Sequence, residues 1–218
     1  MAIIDILNID SENNIDRTYG IKKIIKLMSK WGISLKDSKT LDMFAGDGSW
    51  CSNILLSLVN TNSVCWDIDP FKLDSIKQKF NLKTKNGDIF ELLKNNKEKY
   101  NIIHCDNPSS VYGDKDKKYE YFDVIPFIKD LFDKECIFIH NLNSAPYNFD
   151  NKSKWAKKRQ EFYNLEDTSN LNIDNTILFH KKYFEDNNIK VHKCEAVERE
   201  MYNGKVYWWY LVYKLEKQ

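Results

Sequence analysis

Between Thr40 and His140 the chain alternates short apolar runs with helix-patterned stretches, and this alternation admits few architectures. Thr40–Ala45 (TLDMFA) predicts a strand that ends in a glycine turn, and Ser49–Val59 predicts the helix after it. Ser63–Ile68 is a second strand, and Pro70–Phe80 a second helix, opened by Pro70 just past Asp69. Leu82–Asn86 and Ile89–Lys94 form a third such pair, and Tyr100–Cys105 a fourth strand. Asp123–Phe132 reads as a helix with Pro126 in its first turns, and Cys136–His140 as a fifth strand. Strands separated by helices at this spacing imply βαβ units, a parallel sheet and right-handed crossovers. The flanks differ. Arg17–Trp31 carries Ile21, Ile24, Ile25 and Met28 at helical spacing with lysines between them, which predicts an amphipathic helix. At the other end a helix over Ile173–Tyr183 precedes two extended stretches, Lys190–Met201 and Val206–Lys214, joined through the turn signal Asn203-Gly204. The expected fold is therefore α/β: a mostly parallel seven-stranded sheet, helices on both faces, and a C-terminal antiparallel hairpin. Residues 144–172 fit neither pattern, and their best helix candidate is Lys152–Tyr163.

With 218 residues the chain suits one domain, 1–218, with an N-terminal helical segment over 1–35 and an insert over 144–172. Charges nearly cancel to +1, so there is no global basic field, although local patches stay open. The five cysteines contain no CxxC pair, and Cys65, Cys105 and Cys136 lie in apolar strands. Buried reduced thiols are expected there, with neither disulfides nor a metal centre. The start MAIIDILNIDSE lacks a basic n-region and a long apolar core, and no run of about 18 apolar residues occurs. A cytoplasmic protein with no membrane partner is expected.

The segment Leu41–Ser49 (LDMFAGDGS) holds the chemistry-bearing turn: strand, Gly46-Asp47-Gly48, helix. Glycines there let the backbone approach a ligand and aim N–H groups at it. Cys51 stands where the dinucleotide fingerprint has its third glycine, which speaks against NAD. The second strand ends in Asp67, placed to accept from ribose hydroxyls, while Asp69 suits a helix cap. Gly87-Asp88-Ile89 follows the third strand, where Asp88 either accepts from an adenine amino group or caps the next helix. Asp106-Asn107-Pro108-Ser109 follows the fourth. All four features fall at the C-terminal ends of strands, where open α/β sheets bind ligands.

Together, these segments and the terminal hairpin resemble the class I, Rossmann-like, S-adenosylmethionine-dependent methyltransferases, nearest to those that methylate amino groups of nucleic acids. The resemblance implies S-adenosyl-L-methionine as cofactor. It puts Gly46 and Gly48 against the methionine part, Asp67 at the ribose and Asp88 at the adenine amino group, and counts Asp42, Phe44, Ala45, Ile68, Ile89 and Asp106 among the cofactor-binding residues. In the amino-methylating members a D/N-P-P-Y/F motif after strand four accepts the target NH2 and stacks an aromatic on the base. Here Asp106-Asn107-Pro108-Ser109 matches in part, with Asn107 at the first Pro and Ser109 at the aromatic. Either Tyr112 supplies the ring, or Asn107-Pro108 is the start of the motif shifted by one, or Asn107-Pro108 only shapes a turn. Direct in-line transfer, with catalytic roles for Asp106, Asn107, Pro108 and Tyr112, is the expectation, because a Pro-Cys nucleophile is absent after strand four. His104 and His140 lie within strands and are expected to be packed.

Lysines and Arg159 cluster around Trp155 in the insert, and Lys154, Trp155 and Lys158 are candidates for binding DNA or RNA phosphates and stacking a base. The same run suits a solvated helix face. A methyltransferase acting on a nitrogen of a nucleic-acid base is the leading expectation. A small-molecule or protein methyltransferase, or a catalytically silent cofactor-binding protein, are the alternatives.

Overall fold

The computed structural model describes residues 19–48, 52–106, 121–143, 154–168, 171–202 and 205–218. Seven strands form one sheet in the order β3-β2-β1-β4-β5-β7-β6. They are β1 (Thr40–Met43), β2 (Val64–Asp67), β3 (Lys83–Asn86), β4 (Ile102–Cys105), β5 (Glu135–Asn143), β6 (Ile189–Tyr202) and β7 (Lys205–Lys217). The first five pair in parallel, and β7 enters antiparallel between β5 and β6. The mostly parallel sheet with a terminal antiparallel hairpin is thus present as expected.

Strand alternation divides the core into layers on both faces. On β4 and β5, Ile102, Ile137 and Ile139 face one cluster, and Ile103, Cys105, Cys136 and Phe138 face the other. Helix α1 (Tyr19–Lys30) seals the first cluster, with Ile21, Ile24 and Met28 fully buried and Ile25 nearly so. Each such side chain contributes about 1.5–3 kcal/mol by leaving water. Helix α2 (Ser52–Leu58) lies beside it, while α3 (Pro70–Phe80) covers a smaller cluster around Cys65 and Leu82. Helices α4 (Ile89–Asn95), α5 (Tyr121–Val124), α6 (Lys154–Tyr163) and α7 (Ile173–Asp186) follow among the described residues. The edge strand β3 is KTKN, with Lys83 and Asn86 exposed. Lysine on an open edge discourages pairing with another chain.

The segment after β4 corrects one expectation. In place of a helix over Asp123–Phe132, α5 makes a single turn and gives way to a 3₁₀ segment over Ile125–Asp130. Pro126 has no N–H to donate to the Phe122 carbonyl, and its ring crowds that carbonyl, so the α ladder stops. The polar insert does hold its candidate helix, beginning at Lys154. Cys65, Cys105 and Cys136 are buried free thiols, and burial pushes the Cys65 and Cys136 thiols well above their ordinary range. Cys51 lies outside the described residues. Among the described residues no helix is long and apolar enough to cross a membrane.

Gly20 fixes how closely α1 approaches the hairpin. A Cβ there would lie 2.7 Å from Arg199 Cα and 2.8 Å from the Glu198 carbonyl oxygen, and backbone cannot swing aside. Alanine would gain about 1 kcal/mol of helix propensity. The clash costs about 1–3 kcal/mol or more, because α1 must shift off its packed face. Gly20→Ala is expected to lower the urea midpoint. An unchanged or raised midpoint would show that α1 has room there.

Candidate functional site

Parallel pairing brings the C-terminal ends of β3, β2, β1 and β4 to one edge of the sheet, in that order. The turn after β1 is built on left-handed backbone: Phe44 at φ 60°, Gly46 at 58° and Gly48 at 66°. Left-handed backbone at a non-glycine such as Phe44 costs about 1–3 kcal/mol and persists where its surroundings over-determine it. Here the Ala45 N–H donates to the Trp66 carbonyl at 3.1 Å, and the Gly46 N–H to Asp67 Oδ2 at 2.8 Å. The two glycines serve different ends. Among the described residues a Cβ on Gly46 would meet nothing within 4 Å, which leaves the turn open to them on that side. A Cβ on Gly48 would lie 2.8 Å from the Phe80 ring, so this glycine lets α3 pack against the turn.

Asp67, only 9% exposed, joins three strand ends. Its Oδ2 holds the β1 turn, its Oδ1 accepts the Asp69 N–H at 2.9 Å, and its carbonyl accepts the Gly87 N–H at 3.1 Å. Asn86 Nδ2 donates to the carbonyls of Asp67 and Ile68, at 3.2 and 2.8 Å. The sequence places Asn86 at the head of the Asn86-Gly87-Asp88-Ile89 stretch but assigns its side chain no role. Beside Asp67, Ile68 is 58% exposed, a large apolar surface at the mouth of the edge. Asp69 caps α3, accepting from Phe71 N and Lys72 N. Asp88 caps α4 through Oδ1, accepting from Phe90 N and Glu91 N, and remains exposed. Ile89 is 4% exposed and packs into the core, whereas Ile68 and Phe71 are apolar side chains left exposed after β2.

Under the edge runs a set of buried charges. Asp42 is 1% exposed, and its Oδ1 lies 2.6 Å from Nδ1 of the fully buried His104. Burial lowers the His104 pKa, but the charge and hydrogen bond of Asp42 outweigh it, and the pKa is raised above its ordinary value of 6.5. Asp106 follows directly at the end of β4 and is 9% exposed. Its Oδ2 accepts from Tyr210 Oη at 2.8 Å, Arg199 Nη2 at 3.1 Å and Arg199 Nε at 3.4 Å. Among the described residues, nothing hydrogen-bonds Asp106 Oδ1, Asp42 Oδ2 or His104 Nε2. Arg199 on β6 and Tyr210 on β7 lie 93 and 104 positions from Asp106, and no local pattern near the fourth-strand motif signals them.

A second buried group stands on β5, α6, α7 and β7. His180 Nδ1 lies 2.9 Å from Tyr213 Oη and its Nε2 lies 3.2 Å from Tyr163 Oη, with the ring of His140 at 5.4 Å. Burial pushes His140 down to about 4, and burial with the neighbouring His140 pushes His180 well down. His104, His140 and His180 are all packed, with no exposed surface.

The remaining candidates separate. Asn107, Pro108 and Tyr112 lie outside the described residues, as do the side chains of Lys154 and Trp155, which open α6. Lys158 is half-exposed, 3.7 Å from Asp123. Arg159 is 4% exposed, so the basic run on α6 turns one of its cations inward and is no uniform solvent face. Among the described residues no cluster of three His, Cys, Asp or Glu side chains could hold a metal.

No family model matches the chain. No curated protein matches it either. Solved structures do. A candidate methyltransferase, yhhF from Escherichia coli, is 13% identical with a TM-score of 0.55, over 96% of this chain and 92% of that one. A candidate RNA methyltransferase, PH1948 from Pyrococcus horikoshii, is 12% identical with a TM-score of 0.52, over 99% and 95%. M. jannaschii TYW2 in complex with AdoMet is 15% identical with a TM-score of 0.53, over 98% and 81%. At these identities the likeness is one of fold, and the fold is that of the class I, S-adenosylmethionine-dependent methyltransferases.

Proposed function

We propose that the chain binds S-adenosyl-L-methionine at the C-terminal edge of its sheet and transfers the methyl group to a nitrogen of a nucleic-acid base. One observation carries this reading: the open Gly46 turn, the Asp67 carboxylate and the exposed Ile68 are hydrogen-bonded or adjacent to one another at that edge. Such a set suits an adenosine. Asp67 keeps acceptor capacity for ribose hydroxyls beyond its two backbone partners, since a carboxylate offers about four lone-pair sites. Ile68 offers an apolar face to the adenine ring, and the Asp88 oxygen not used in capping offers an acceptor to its amino group. Gly46 lets the methionine part pass close to backbone.

S-adenosyl-L-methionine, when bound, supplies a methyl group on a sulfonium leaving group. The acceptor nitrogen bonds that carbon as the carbon–sulfur bond breaks, then loses a proton to water. The chain's task is therefore positioning. Asp106, next to the glycine turn across β1 and β4, would accept an N–H of the incoming amino group and orient its lone pair. PH1948, described as a candidate RNA methyltransferase, supports a nucleic-acid acceptor by likeness of fold. The lysines of α6 support it by charge, and a base within a duplex would have to be flipped out.

The test is transfer of a labelled methyl group to separate pools of DNA, RNA and protein, beside calorimetry with the cofactor. Label in nucleic acid at low salt, falling steeply as salt rises, is expected. Label in protein alone would overturn the nucleic-acid reading, and no heat with the cofactor would overturn the whole.

A further inference from the structure

Asp106 is an unusual residue to find at the end of a core strand. It is nine-tenths buried, and one of its oxygens takes every hydrogen bond that the described residues give it. Oδ2 accepts from three donors while the buried Oδ1 accepts from none among the described residues. A carboxylate held only for stability would spread its donors over both oxygens, because an unfilled buried acceptor is costly. A buried ion pair is itself a poor stabiliser beside apolar side chains of the same volume. Yet this one recruits Arg199 and Tyr210 from two strands of the terminal hairpin. It also depends on α1, where Gly20 admits the Arg199 backbone and the Tyr210 ring, whose Cε2 lies 3.0 Å from the place of a Cβ.

We propose that Arg199 and Tyr210 are positioning residues of the methyl-transfer site: they hold Asp106 through Oδ2 and so keep Oδ1 as the acceptor for an N–H of the methyl-accepting group. This rests on the function proposed above and adds the part played by the hairpin. Two donors from different strands remove rotation about the carboxylate. The guanidinium adds a rigid fork that a lysine ammonium does not reproduce. An acceptor with one free oxygen fixed in space selects a donor nitrogen and sets the angle at which its lone pair meets the methyl carbon.

Tyr210→Phe keeps the packed ring and removes one donor, so it is the primary variant. Cofactor affinity within about twofold of wild type and a kcat lowered about tenfold are expected, with KM for the acceptor little changed. Arg199→Gln should lower kcat further, and Arg199→Lys should recover part of that loss. Thermal midpoints and cofactor titrations of each variant separate a loss of fold from a loss of positioning. Wild-type kcat in folded Tyr210→Phe and Arg199→Lys proteins would overturn the proposal while leaving the methyltransferase reading intact. A kcat that falls only in proportion to the folded fraction would overturn it too. A wild-type protein with neither cofactor binding nor methyl transfer to any pool would overturn both, and is recognised before any variant is made.

Discussion

Acidification from pH 6.5 to 4 is expected to strip stability from this protein, with His140 alone removing on the order of 3 kcal/mol. The sign follows from proton uptake. In the unfolded chain His140 takes its proton near 6.5, and in the folded chain only at about 4. Between those values the unfolded state binds more protons, so stability falls as pH falls. Above 6.5 both states are neutral and nothing is lost. His180, fully buried and pushed down by burial and by His140, adds to the same slope. His104 has the opposite sign, and its contribution changes above that window. Its raised pKa means that its stabilisation is complete below 6.5 and is lost as pH rises through the folded value. Urea midpoints measured at pH 7.5 and 4.5 give the net slope. His140→Phe, whose ring can stack between Phe138 and Tyr213, should flatten it. An equal acid slope in wild type and variant would mean that His140 contributes nothing.

Asp67→Ala should weaken binding of S-adenosyl-L-methionine about 10- to 100-fold and lower the thermal midpoint as well. The two effects share a cause. The carboxylate holds the Gly46 and Asp69 N–H groups, and hydrogen bonds to a charged acceptor contribute about 1.5–3 kcal/mol each. Its loss frees the turn after β1 from β2 and also deletes the proposed ribose acceptor. Asp88→Ala is the comparison: it removes an exposed cap worth about 1 kcal/mol of stability and a single proposed adenine acceptor, and should cost less affinity. Calorimetry on the three proteins checks this, and wild-type affinity in Asp67→Ala would remove Asp67 from the pocket.

Much of the fold was legible because short-range signals sufficed. Pro70 after Asp69 marks the start of α3, and its observed range matches the predicted one. The four apolar positions of α1 are all buried, together with Gly20. Strand ends were less legible. β5 runs to Asn143, three residues past the predicted end, because its pairing with β7 carries it beyond its apolar run. The 3₁₀ segment at Pro126 arises from a backbone group that is missing, and hydrophobic spacing does not register it. In the site, the glycine turn and the strand-end acids announce themselves by order. Whether Asp88 caps a helix was an open alternative, and the geometry supplies the capping bonds. Arg199 and Tyr210 were invisible, since only the closed sheet brings residues so far apart along the chain to Asp106.

The place of β7 has a consequence for the chain as it is made. β7 follows β6 in sequence yet occupies the slot between β5 and β6. Until residues 205–217 are available, nine residues of β5 offer an open, largely apolar ladder with no neighbour on that side. Such a ladder is a template for any extended segment within reach, including another copy's hairpin. Early interruption of synthesis, or clipping ahead of Lys205, would thus yield a sticky intermediate, whereas the completed strand closes its own vulnerable flank.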